Sequence, residues 1–444
     1  MESKKKEKKA LGLAELVAIA LGGMVGGGIF TILGVSVSII GFMTPVAILI
    51  GGVFALLAAY SYVKLGVYYK DEGATYSFYK RTYPKIPFLS SMIGWFVIFG
   101  YISTIALYAF TFSSYMISGS DLAESIWARK LIAIGVIAVF ALINAWSVNG
   151  MGKTEDFLVY TKLLILAAIA FIFFQNGTMP VSEFFGKLQV DWEQSHVMSI
   201  LIVSSLTFVA YEGFQLVING VNEMSQPEKK IPGAIYIAVF LVILIYVVIS
   251  FAAMLAIPSE EIIAKKEFSL AAGAGKIIGI WGTRLVIVGA VLATSSAISG
   301  TLFGSSRQMA VIAGDGFFPR ILARRKNGIP RIGIITMAVT ASTLILVGGL
   351  ELILEFGSVT FLVVSLLMAI ANFQIRKQTN SSTILTLLAI LCLATGTVLI
   401  FYYEYTHQWE QLLFIVFIYV ILTVFSWFFS IREKRRLHRE EFPK

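Results

Sequence analysis

The chain has 444 residues, 57% hydrophobic and only 14% charged, with a mean hydropathy of +0.83. These values exclude a soluble globular protein and define an integral membrane protein. The net charge of +9 does not point to nucleic acid, because the Lys and Arg fall mainly in alternate loops, the bias that marks the cytoplasmic face of a membrane protein.

Apolar runs of about 20 residues, each long enough to cross about 30 Å of hydrocarbon as a helix, predict twelve spans. They fall near 13–40, 44–69, 88–118, 129–148, 156–175, 198–223, 232–257, 283–313, 332–349, 351–374, 384–404 and 409–430. The polar run KKKEKK leads straight into the first of them, so the expectation is a retained span rather than a cleaved signal peptide. The fold class expected is an all-α membrane protein. It divides into a basic tail (1–12), five spans (13–175), five more (198–374), two further helices (384–430) and a second basic tail (431–444). Both tails are assigned to the cytoplasm of a cell-membrane protein, where they can also meet anionic lipid of the bilayer. The polar outer segments 176–197 and 258–282 are expected to act as lids.

Single Cys392 allows no intramolecular disulfide. His196, His407 and His438 are scattered, and no GxSxG, HExxH or CxxC pattern occurs, so neither an enzyme nor a metal site is expected. No cofactor is expected either. A selectivity-filter signature or repeated charged ring, the mark of a channel, is also lacking.

Within the first span, residues 22–30 read GGMVGGGIF, five glycines in nine residues. Each glycine inside a helix costs about 1 kcal/mol relative to alanine, which disfavours a continuous helix here. A break in hydrocarbon is tolerated where protein buries it or where it lines a cavity. A second half-helix starting near Gly26–Gly28 would aim free N–H groups and a positive dipole end at an anion such as a carboxylate. The first half would end near Met24 with carbonyls free to accept from an ammonium. The other reading is close helix packing through Gly22-x-x-x-Gly26 and Gly23-x-x-x-Gly27.

Residues 207–220, TFVAYEGFQLVING, interrupt the sixth span in a similar way with Glu212, Gly213, Gln215, Asn219 and Gly220. Paired breaks, one opening each half of a ten-helix unit, are the pattern of inverted-repeat transporters with a site at the midplane. No residue-level repeat is visible, so the symmetry rests on the break positions.

At this point the chain resembles the amino acid/polyamine/organocation transporter superfamily. VGGGIF and FVAYEGF resemble its first- and sixth-span breaks. NEMSQPEKKIPGAI (222–235) resembles the link to span seven, EGATYSFYKRTYP (72–84) the loop after span two, and SSRQMAVIAGDGFFPRILARRKNGIP (305–330) the inner end of span eight with its loop. The resemblance implies spans 1–5 and 6–10 as inverted repeats around a central site. By position it places the substrate carboxylate on the N–H groups around Val25, Gly26, Gly27 and Gly28. It places the ammonium near carbonyls of Met24, Val209 and Glu212, with Phe208, Ala210, Tyr211 and Gly213 shaping or gating the pocket.

Lys162 lies in span five, six residues past Asp156 and so about 9 Å along the helix. Its stem can snorkel to the interface; alternatively its ammonium faces the bundle, where burial disfavours the charged form and makes proton exchange accessible. The resemblance favours the second reading. It is to a proton-coupled branch in which a fifth-span lysine meets span one near Gly22, in the place where sodium-coupled relatives hold a cation with span-eight hydroxyls, here Thr294, Ser295 and Ser296. Hydroxyls in helices also commonly bond back to the preceding turn. Glu212 departs from the family pattern, and contact with a cationic substrate, a second proton site and a structural hydrogen bond all remain open. Glu355 and Arg307 read as interfacial or loop-tying charges.

The function expected is secondary transport of an amino acid substrate, proton-coupled and inward, by alternating access. The alternative is an amino acid or polyamine exchanger without ion coupling. Side-chain preference and oligomeric state are not legible.

Overall fold

The computed structural model describes residues 11–146, 151–194, 196–265 and 268–441. Most of the expected N-terminal tail and the last three residues lie outside them, and the side chains of Asp156 and His438 are likewise outside what is described.

Among the described residues the chain is all-helical, and ten of its helical stretches are long and apolar enough to cross a membrane. Gly28–Tyr69 is one such stretch; it joins the second half of span one to span two. With the shorter helices Leu13–Met24 and Arg331–Val347, these stretches account for the twelve predicted spans. Span one is split into Leu13–Met24 and Gly28–Ile40. Span two, Thr44–Tyr69, starts after a turn at Gly41, whose φ of +54° favours glycine, and carries Pro45 in its first turn, where a missing N–H costs nothing.

Several boundaries differ from those expected. Span seven begins at Pro227 rather than 232, because Pro227 is pre-set for a helix start; Pro232 then lies inside the helix. The last helix runs from Trp409 to Glu441, so the segment assigned as a tail from 431 continues the helix. Its Arg, Lys, Glu and Leu are all strong helix formers, and no Gly or Pro interrupts them before Pro443.

Burial orders the helices. Span three (Pro87–Met116) is the axis, with 94% of its crossing window buried, whereas the windows of span four (Ile126–Trp146) and span twelve are 28% and 22% buried. Leu131, Leu142, Leu164, Phe171, Val420 and Trp427 are among the large apolar side chains left exposed on the outer helices, the surface that hydrocarbon covers. Small residues let the inner helices approach: a Cβ on Gly51 of span two would stand 2.8 Å from the Ser204 carbonyl oxygen of span six.

Two of the loops that carry the family resemblance pack on one another. Tyr76 Oη donates to Asp315 at 2.7 Å, Lys80 pairs with Asp315 at 2.8 Å, and Gln308 Nε2 donates to the Gly73 carbonyl at 3.3 Å. Leu11 pairs with Met224, and Glu433 lies against Gly316, so the beginning and the end of the described chain share this face. On the opposite face the segments expected as lids are helices, Val181–Gln194, Ser259–Ala264 and Ser269–Ile278. Asp191 fastens the first of these by accepting the Phe42 N–H at 2.7 Å, and a cavity of about 730 Å³ lies between it and Met254–Glu260.

Candidate functional site: two helix breaks in contact

In span one the helix stops at Met24, and Val25–Gly27 are non-helical, all fully enclosed. Val25 N–H still bonds to Leu21 and Gly26 N–H turns back to Met24, but no backbone acceptor is recorded for the N–H groups of Gly27, Gly28, Ile29 and Phe30. They are the orphan donors of the second half-helix, whose first closed turn is Thr31 N–H to Gly27 O at 3.2 Å. Glycine is required here by space. A Cβ on Gly26 would stand 2.7 Å from the Tyr108 ring and 2.8 Å from Ala297, one on Gly27 2.7 Å from Thr111 Oγ1, and one on Gly28 2.5 Å from Ala210 Cβ.

Span six breaks at matching depth. Its helix Val197–Leu206 tightens into a 3-10 turn over Thr207–Tyr211, becomes extended at Glu212 (ψ 142°), passes through Gly213 at φ +128° and resumes at Leu216–Asn219. Gly213 packs directly on Gly23, so the two breaks touch through bare backbone.

Lys162 closes the arrangement. Its side chain is 0% exposed, and its ammonium donates to the carbonyls of Gly22 at 3.1 Å and Val25 at 2.6 Å and to Ser296 Oγ at 3.1 Å. One cation thus pins spans one, five and eight at the end of the first half-helix, where the dipole favours positive charge. Of the three span-eight hydroxyls expected nearby, only Ser296 reaches it. Thr294 bonds back to Ala290 and Val291 in its own helix, and Ser295 is half-buried with no recorded bond to the lysine.

The other expected residues divide. Met24 O accepts from Tyr246 Oη at 2.9 Å, and Val209 O accepts the Glu212 N–H at 3.2 Å, so two candidate ammonium acceptors already have donors. Phe208 is fully buried, Ala210 packs on Gly28, and Tyr211 turns towards span two, donating to Ile48 O at 2.7 Å. The Glu212 carboxylate is 2% exposed and accepts from Gln215 Nε2 at 2.8 Å.

A ladder of tyrosines on span three was not anticipated. Tyr101, Tyr108 and Tyr115 recur every seven residues and so share one helix face. Tyr101 Oη accepts from Gln215 at 3.3 Å, Tyr108 Oη donates to Gly23 O at 2.9 Å, and Tyr115 Oη donates to Phe30 O at 3.2 Å. The spacing was the available signal. Tyr246 of span seven spans both breaks, donating to Met24 O and, at 3.3 Å, to Ala210 O.

From the face shared by Leu11 and Glu433, a vestibule of about 550 Å³ reaches this level. Its walls include Ile19 and Gly23 of span one, Leu216 and Asn219 of span six, and Gly304 and Arg307 of span eight.

Twelve crossings around two touching helix breaks, with a vestibule leading to them, define a multi-span membrane transporter. The chain belongs to the amino acid permease family, whose model matches residues 11–427. It is 26% identical over 410 residues to an inner membrane transport protein of Escherichia coli K12, covering 91% of each chain. It is also 26% identical over 401 residues, 90% of each chain, to an uncharacterized protein of Methanocaldococcus jannaschii. A large neutral amino acids transporter small subunit 2 of Rattus norvegicus is 27% identical over 331 residues, 71% of this chain and 60% of the relative. The chain is accordingly an amino acid transporter and not an enzyme.

Proposed function

We propose that the protein imports an amino acid with a proton by alternating access, and that the proton resides on Lys162. The observation that carries this reading is the ammonium held between Gly22 O, Val25 O and Ser296 Oγ. A charged lysine clamps the first half-helix to spans five and eight; the neutral amine loses one of its three N–H donors and the charge that strengthens the other two, and frees that half-helix to swing. A proton gradient can bias such a two-state element. In this reading the orphan N–H groups of Gly27 and Gly28 take the substrate carboxylate, and the Glu212 carbonyl faces its amine. Spans 1–5 and 6–10 move as inverted halves, with the termini and the vestibule on the cytoplasmic side.

A second reading has its own support. Two carbonyls and a hydroxyl accept from the ammonium, an environment that suits a lysine held as a permanent charge. The protein is then an exchanger without ion coupling. The two readings separate in proteoliposomes loaded with and without internal amino acid. On the proton reading, Lys162→Ala loses concentrative uptake driven by a pH gradient but keeps exchange. A mutant that still concentrates substrate under that gradient excludes it.

A further inference from the structure

The side-chain carboxyl of Glu212 has no task in the proton reading above. It stands where span six leaves its 3-10 turn, 2% exposed, with Oε2 bonded to Gln215 and Oε1 without any hydrogen-bond partner. The titratable groups that face it are phenols: Tyr62 from span two, and Tyr101 and Tyr108 from span three. From span ten comes the Ser365 hydroxyl, which borders the same carboxyl group. No ion pair joins Glu212 to a Lys, Arg or His among the described residues. An interior carboxylate without a cation is strongly disfavoured, and such a group ordinarily takes a proton and becomes neutral.

Its position links it to the moving parts. Gln215 Nε2 bridges Glu212 and Tyr101, while Gln215 Oε1 accepts the Gly213 N–H at 3.0 Å. Gly213 is the residue packed on Gly23, and Gly23 and Leu216 line the vestibule. The Gly23–Gly213 contact therefore stands between Glu212 and the vestibule.

We propose that Glu212 is a proton-binding site distinct from Lys162. It is a neutral acid in this conformation, and it gives its proton to vestibule water when the breaks at Gly23 and Gly213 part. The Oε1–H bond breaks, the electron pair stays on the carboxylate, and the proton leaves through the vestibule. The site rests on alternating access but not on Lys162 carrying a proton, so the two can fail separately.

Infrared difference spectroscopy of the full-length protein in nanodiscs, titrated with pH, tests this. The expected result is a carboxylic-acid carbonyl band at neutral pH that fades as pH rises and is missing at every pH in Glu212→Gln, with the same band retained in Lys162→Ala. Identical spectra for wild type and Glu212→Gln overturn the proposal, as does a band that never titrates, which would mark a purely structural acid. A band moved by sodium or by a cationic amino acid rather than by pH overturns it in favour of a cation subsite. Should Glu212→Gln fail to fold, Glu212→Asp is expected to shift the midpoint, and an unchanged midpoint has the same overturning force.

Discussion

Gly213 and Gly23 meet backbone to backbone: a Cβ added to Gly213 would lie 2.5 Å from the Gly23 carbonyl carbon and 2.7 Å from Met24 N. Gly213 also adopts φ +128°, a conformation that strains any L side chain by about 1–3 kcal/mol. Gly213→Ala is therefore expected to lower the melting temperature of the purified protein and to abolish transport. Gly119→Ala, at a site with nothing within 4 Å of the added Cβ, serves as the control and should leave transport intact. Normal melting and transport in Gly213→Ala would mean that the two breaks do not need this contact.

The N–H groups at Gly27 and Gly28 predict a loss of binding when they are covered. Gly27→Leu puts a branched side chain where even a Cβ is 2.7 Å from Thr111 Oγ1, filling the space in front of the orphan donors. Calorimetry on the fraction that stays monodisperse should show amino acid affinity reduced at least tenfold, about 1.4 kcal/mol, together with a lowered melting temperature. Retained affinity would place the carboxylate elsewhere.

Tyr246 joins the two breaks through one hydroxyl shared between Met24 O and Ala210 O. Tyr246→Phe keeps the ring and removes the bridge, at an expected cost of about 1 kcal/mol in stability. Because the hydroxyl ties together segments that part during transport, exchange rate should change more than substrate affinity. Equal effects on both would make Tyr246 a pocket residue only.

Ser296 Oγ accepts from the Lys162 ammonium. Hydrogen bonds to charged groups contribute about 1.5–3 kcal/mol, equivalent to about 1–2 pH units. If the lysine carries the coupled proton, Ser296→Ala destabilises the charged form, and uptake should fall off at lower pH than in wild type. Thr294→Ala, whose hydroxyl bonds only within its helix, should leave the profile unmoved. Identical profiles for all three proteins favour the permanently charged lysine.

The sequence by itself determined the membrane class, the twelve crossings and the places where spans one and six break. These follow from local composition: a run of apolar residues must satisfy its own hydrogen bonds in hydrocarbon, and clustered glycines such as Gly26–Gly28 cannot do so as a regular helix. The basic loops and the start of span two beside Pro45 were legible for the same local reason, whereas the start of span seven at Pro227 was read five residues late, and continuation of the last helix beyond 430 needed its helix-forming composition to outweigh its charge.

What only the tertiary structure decided is which groups answer the broken backbone. Gly23 against Gly213, Lys162 on Gly22 and Val25, Tyr246 on Met24 and Ala210, and Ser296 chosen over Thr294 and Ser295 all join residues far apart in the chain. A serine or tyrosine inside a span reads alike whether it bonds its own helix or a neighbour, because the choice depends on the rotation and depth at which the helices pack.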